Sequence, residues 1–402
     1  MIDFQRASYS TLLGMLLAAL LVFTGCDDDS LTPPPVEDDL FARYVSLGNS
    51  ITAGFQSNGI SKATQEDAYP VMLAEKMGTP FDIPSLAGNG CPPPIIDPIT
   101  GERTGDVECA LRETPLPTRL NNVAVPGSAV IDLTNNFDAA SNINELTQFF
   151  LGGRTQVEAA LAAEPTFVSI WSGNNDVLPT ALSGIVTDDN LTSTADFEAR
   201  YTEALDALED GGVEGGILYG VADVTLIPHF SAGAAYAQAE GQINAFGDSQ
   251  SPAWGSFTVD ASCEAGAQGT TTLVPANYAL LELLPAALEG DDVTLNCADD
   301  ERVLDGGEIT LLEERVTAFN DFIQAEAQDR GWAYGPTNEV LQQLRDEGDI
   351  PPFPDVSDPA NFFGPAFSLD GVHPSSSTHE VIATVSAEAI DEVYGTTLSS
   401  SN

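Results

Sequence analysis

The strongest constraint in this sequence is an alternation of short apolar runs with helix-like stretches. The runs fall at 43–47, 121–125 (NNVAV), 166–171 (TFVSIW), 216–221 (GILYGV) and 331–335 (GWAYG). Helical patterns lie between and after them, at about 66–77, 154–163, 195–209, 308–329 and 375–393. The clearest is 308–329, where Leu312, Val316, Phe319, Ile323 and Ala327 recur at spacings of three and four, one apolar stripe made to face a sheet. The alternation predicts a three-layer α/β/α sandwich around a central parallel sheet. With 402 residues, 43% of them hydrophobic, the chain has material for a real core. Two stretches interrupt the rhythm: 79–119, rich in Pro and Gly, and 230–307, which follows the fourth run where a short turn would suffice. The second carries apolar residues between Leu273 and Leu288, among them Val274, Leu280 and Leu284. It is expected to cap the sheet edge and form an apolar cleft there; the rival reading packs it sideways as a subdomain.

The N-terminus reads as an export signal. A lone Arg6 precedes an apolar run from Leu12 to Phe23, too short to span a bilayer, and then Thr24, Gly25 and Cys26. The FTGC ending resembles a bacterial lipobox, which implies a signal peptide over 1–25 and lipidation of Cys26; an ordinary secreted protein cut nearby is the alternative. Residues 26–41, acidic and Pro-rich, read as a tether. The implied location is the bacterial cell envelope, lipid-anchored at the outer membrane or cell surface. Four further cysteines suit an oxidising compartment. The pairs Cys91 with Cys109 and Cys263 with Cys297 are favoured because local loops close at the lowest entropic cost. No Cys-x-x-Cys spacing supports a metal site. Lys and Arg number 13 against 61 Asp and Glu, a formal net charge of −48. That balance excludes a nucleic-acid partner, since phosphate binding needs basic side chains. The charge is spread along the chain and reads as solvation of the surface. The acidic stretch 290–308 reads the same way, because it lacks the carboxylate spacing of a calcium loop.

In parallel α/β sheets ligands gather beyond the carboxyl ends of the strands. Polar blocks follow three of the runs here: Ser50 in GNS, Gly127 in VPGSA and Asn175 in SGNND; a fourth block, SLDGVHP near the C-terminus, holds Asp370 and His373. A serine hydroxyl becomes a nucleophile when an imidazole takes its proton and a carboxylate holds that imidazole's tautomer. Ser50, His373 and Asp370 supply these groups. The backbone N–H groups of Ser50 and Gly127 and the side-chain amide of Asn175 supply donors for an oxyanion. Glycine at 127 is expected because no side chain then obstructs its N–H. Singly, each block also reads as a turn, and Asp370 with His373 as a helix cap.

Taken in order, the four blocks resemble those of the SGNH (GDSL-type) serine hydrolases, over about residues 42–394. The resemblance implies a flavodoxin-like domain over 42–396, an ester hydrolase (esterase, lipase or acylhydrolase) without metal or cofactor, and an acyl-enzyme. It places the nucleophile at Ser50, acid and base at Asp370 and His373, and the oxyanion hole at Ser50, Gly127 and Asn175. Its substrate would be a small-molecule or lipid ester. One departure stands in the first block, where Asn49 replaces the usual aspartate; the triad acid lies elsewhere, so the change is expected to be minor. A lipid- or glycan-binding surface lipoprotein without turnover is the alternative. Of the other histidines, His229 ends the fourth run near the same edge, and His379 is expected at the surface of the last helix.

Overall fold

The computed structural model describes residues 39–105, 109, 119–299 and 301–400. Cys26, the stretch read as a signal peptide and most of the tether lie outside the described residues. The strands, along the chain, are β1 (Tyr44–Gly48), β2 (Phe167–Trp171), β3 (Gly215–Tyr219), β4 (Phe230–Ala232), β5 (Ser256–Val259), β6 (Leu273–Pro275), β7 (Asp292–Leu295) and β8 (Ala333–Gly335). The helices that matter here are α1 (Ser50–Ala53), α2 (Tyr69–Met77), α3 (Gln156–Ala162), α4 (Thr194–Asp210), α5 (Gly233–Gln250), α6 (Gly306–Arg330), α7 (Thr337–Glu347) and α8 (Ser376–Tyr394).

The central sheet is parallel, in the order β1-β2-β3-β8. Every residue of β1, β2 and β3 is buried, which is why they read as compact apolar runs. Side chains alternate across it. Val45, Leu47, Val168, Ile170 and Leu218 share one core with α3, α4 and α6. Tyr44, Phe167, Trp171, Ile217 and Tyr219 share the other with α2 and α8. The expected stripe on α6 is buried at all five positions, each worth roughly 1.5–3 kcal/mol for the larger side chains. Asp305 starts that helix by accepting from the N–H groups of Gly307 and Glu308, and Gly331 ends it at φ +66°. Part of the acidic stretch is thus spent on a cap.

The run 121–125 departs from the expected strand. It lies parallel to β1, with Ser46 N–H donating to Asn121 O and Val123 N–H to Ser46 O, but only the Ser46–Asn122 bridge is regular. The reason is local: the Ala124 N–H turns back to Asn122 Oδ1 at 3.1 Å, and Asn122 Nδ2 reaches Thr52 O at 2.8 Å. Side-chain amide bonds stand beside the backbone bonds to β1. The chain still passes to one side of β1 for 121–125 and to the other for β2. That reversal opens a crevice at the carboxyl end of β1.

The 230–307 segment packs sideways. β4 pairs antiparallel with β6, β5 pairs parallel with β7, and a Cys263–Cys297 disulfide closes the unit. Val274, Leu280 and Leu284 are fully buried, in one core with Tyr236 and Ile243 of α5. The apolar residues expected to line a cleft cover the segment's own helix instead. In the other excursion Cys91 is bonded to Cys109, and its backbone pairs with the turn after α1: Ile60 N–H donates to Pro92 O and Ile95 N–H to Ser57 O.

Candidate active site

β1 ends in Gly48 at φ +149°, where a Cβ would lie 2.5 Å from Trp171 O and 2.6 Å from Thr52 Oγ1. No other residue fits. The chain then reverses into α1, with Asn49 as its cap: Oδ1 accepts from the Ile51 N–H at 3.0 Å. Asn49 also donates through Nδ2 to Asn174 Oδ1 at 3.4 Å, a bond an ionised aspartate could not make. The departure in the first block therefore retains the cap and adds a tie to the GNND loop. Ser50 follows as the first residue of α1, with its Oγ clear of the sheet.

His373 Nε2 stands 2.9 Å from Ser50 Oγ, and His373 Nδ1 stands 2.8 Å from Asp370 Oδ2. Asp370 Oδ1 accepts from the backbone N–H groups of Val372 and His373, both at 2.9 Å, and from Ser368 Oγ; Oδ2 also accepts from the Asn58 N–H at 2.7 Å. Burial alone would raise this carboxyl, but the adjacent imidazole and these donors outweigh it and hold the pKa well below the usual carboxylate range. The ring of Phe55 packs on the imidazole, centroids 4.9 Å apart.

Asn58 and Ser57 are functional positions that the sequence reading missed. They form a tight turn, both at positive φ, closed by reciprocal backbone bonds between Gln56 and Gly59. The Ser57 N–H donates to Ser368 Oγ at 2.8 Å, beside the Asn58 bond to Asp370. The Cys91–Cys109 excursion braces the turn through Arg103, which donates to Asn58 O at 2.8 Å. The Asn-Gly pair at 58–59 is a turn signal that was available in the sequence.

Asn175 lines the same crevice as Ser50 and His373, and its Nδ2 donates to Ser128 O at 2.9 Å, leaving one N–H for a ligand. Gly127 does not line that crevice. It is held next to Asn175 through Ser128, and the Val125 N–H bonds Gly48 O at 3.1 Å. Its φ of +85° favours glycine; within the protein a Cβ there would meet only Asn144 Nδ2, at 3.4 Å. A second tie, from the Val130 N–H to Asp176 Oδ2 at 3.0 Å, fixes the loop; burial raises the pKa of Asp176 to about 7.

His229 is buried outside the crevice, against the back of the triad loop. Its Nδ1 donates to Asp370 O at 2.9 Å, and burial pushes its imidazole below the usual range. His379, expected at the surface, is fully buried. Its Nδ1 accepts from the Tyr69 N–H at 3.2 Å, capping an α2 whose Ala68 offers no side-chain acceptor. Burial lowers its pKa to about 3. The facing atoms of His373 and Asp370 are spent on each other and on Ser50, so they offer no free ligand pair for a metal.

A serine joined through an imidazole to a buried carboxylate, at the switch point of a parallel sheet, defines a hydrolase of the α/β/α class. The chain belongs to the GDSL-like lipase/acylhydrolase family, whose model matches residues 44–385. Among solved structures it is similar to LAE5, an α/β-hydrolase enzyme from the metagenome of Lake Arreo, Spain, at 14% identity, 87% of this chain, 94% of that one and a TM-score of 0.38. It is also similar to Axe2, an acetylxylan esterase from Geobacillus stearothermophilus, at 13% identity, 86% and 93% coverage and a TM-score of 0.35. A GDSL-like lipase structure from Parabacteroides merdae gives 11% identity, 86% and 94% coverage and 0.36. No curated protein matches the chain.

Proposed function

We propose that the protein is an exported hydrolase of carboxylic esters that works through an acyl-enzyme on Ser50. The observation that supports this best is the unbroken chain Ser50 Oγ, His373 Nε2, His373 Nδ1, Asp370 Oδ2, with gaps of 2.9 and 2.8 Å. His373 takes the Ser50 proton as Oγ attacks the ester carbonyl carbon, and Asp370 stays ionised, holding the ring with Nε2 free to accept. The oxyanion that forms is met by Asn175 Nδ2 and the Ser50 N–H, and the Gly127 N–H is the third donor proposed, from the loop that Ser128 O ties to Asn175 outside the crevice. Collapse of the tetrahedral centre breaks the bond to the alcohol oxygen, which leaves with the proton from His373. Water then attacks the acyl-enzyme with His373 as base and releases the acid. A fluorophosphonate probe tests the reading: labelling at Ser50, lost in Ser50→Ala, is expected. Folded protein that neither labels nor cleaves p-nitrophenyl acetate would refute it.

The chain's first residues support export with a lipid anchor at Cys26 of a bacterial envelope protein. Acyl chains there would be the strongly apolar attachment of the mature protein. Cys26→Ser is expected to release it from membranes; a variant that still pellets after a salt wash would exclude the anchor.

A further inference from the structure

The crevice beside Ser50 is lined by α7 and α8 and by no residue of the 230–307 segment, has a cavity volume of about 70 Å³, and is partly open to solvent. We infer that it holds the acyl chain of the substrate, a straight aliphatic acid of roughly six to ten carbons, and that α7 sets the length. This rests on the hydrolase reading above and narrows it to a substrate class.

Three observations carry the inference. The walls are apolar: Val340, Leu341 and Leu344 from α7, Ile382 and Val385 from α8, and Val372 beside the imidazole. The stacked rings of Trp171 and Tyr219, 4.8 Å apart, close it on the sheet side. Second, four of the polar side chains that line it, with Ser386, already use their hydrogens within the protein. Thr337 Oγ1 donates to Gly220 O and Thr378 Oγ1 to Ala366 O, each at 2.8 Å. The Tyr219 hydroxyl and Ser386 Oγ bond each other at 2.7 Å, and Trp171 Nε1 donates to Asn174 Oδ1 at 3.0 Å. A sugar or other hydroxyl-rich group placed there would lose its water and find no free hydrogen on these side chains. Free donors and acceptors remain at the mouth, on Ser50, His373 and Asn175, where an ester carbonyl belongs. Third, the lining on α8 extends from Thr378 to Ser386, about 12 Å of helix, a span within reach of an extended chain of roughly six to ten carbons.

The acyl half is the one assigned because it stays bonded to Ser50 between the two steps, while the alcohol must leave with the His373 proton. An apolar slot beside the nucleophile suits the group that remains. α7 suits the role of gauge: Leu341 and Leu344 are buried, Gln342, Gln343, Asp346 and Glu347 face water, and Arg345 fixes the helix by donating to Leu226 O at 2.6 Å.

The test is a series of p-nitrophenyl esters from acetate to palmitate, with octyl acetate and ethyl octanoate as a mirrored pair. Wild-type kcat/KM is expected to rise about two- to fourfold per methylene up to about eight carbons and then to stop rising. Ethyl octanoate should be cleaved faster than octyl acetate. Val340→Trp and Leu344→Trp, which fill the slot, should each lower the octanoate-to-acetate ratio at least about tenfold. Because the ratio is taken within one preparation, a partly unfolded fraction cancels. Acetate cleaved best by the wild type, a ratio unmoved by both tryptophans, or octyl acetate preferred would each overturn the assignment while leaving the hydrolase standing. A wild type that cleaves none of the esters and is not labelled by fluorophosphonate would remove both.

Discussion

Replacing Asp370 by Asn changes one atom, and the structure shows which way the resulting conflict resolves. Oδ1 accepts two backbone N–H groups, from Val372 and His373; Oδ2 accepts one, from Asn58, together with the imidazole. An amide has one oxygen, so its NH2 must face one of these sets. Facing the first would leave two half-buried backbone donors unpaired, at up to roughly 1–3 kcal/mol each. Facing the second leaves one, because the imidazole can change tautomer and accept at Nδ1. The second arrangement wins, and it places the ring proton on Nε2, where it can no longer take a proton from Ser50. Turnover of a p-nitrophenyl ester is therefore expected to fall about 10⁴-fold, as the same substitution does in a serine protease triad. Unfolding in urea should show a loss of only about 0.5–1.5 kcal/mol at unchanged m-value, because the one donor left over belongs to the exposed Asn58 and can turn to water. Turnover within tenfold of wild type would refute the chain of reasoning, and an unchanged midpoint would refute its structural half.

Asn175→Ala should lower kcat about 10²–10³-fold if its free N–H meets the oxyanion, with KM little changed; a KM effect alone would assign it to ground-state binding. Gly48→Ala places a Cβ 2.5 Å from Trp171 O at a φ that L residues avoid, so a loss of at least about 1–3 kcal/mol should appear in the denaturation midpoint, with Ser50 displaced. His379 should make the fold acid-sensitive: its value of about 3 in the folded chain lies below the ordinary 6.5, so between these the unfolded chain binds more protons. Stability is then lost as pH falls from about 6.5 towards 3, by up to about 1.4 kcal/mol per unit. The His379→Gln variant should show a shallower dependence of its melting temperature over that window, and parallel curves would remove His379 as the cause.

What the sequence determined by itself is whatever depends on neighbours along the chain. The stripe on α6 was legible because a helix is closed by bonds four residues apart. The runs that became β1, β2, β3 and β8 were legible because burial on both faces demands apolar residues there. Ser50, Asp370 and His373 could be singled out because their chemistry is uncommon and three of the blocks, those of Ser50, Gly127 and Asn175, follow predicted strands. The tertiary structure decided everything that depends on which residue arrives from far away. His379 has the pattern of any polar helix residue, and its burial follows from α2 bringing the Tyr69 N–H across more than three hundred positions. Asn58 looks like an ordinary turn until the same kind of approach sets its N–H against Asp370. The apolar stretch 273–288 announced that it must be covered but not by what; α5 covers it, and the slot beside Ser50 is left to α7 and α8. Hydrophobic burial has no direction, so a sequence states how much apolar surface must leave water, and only the packed chain assigns each surface its partner.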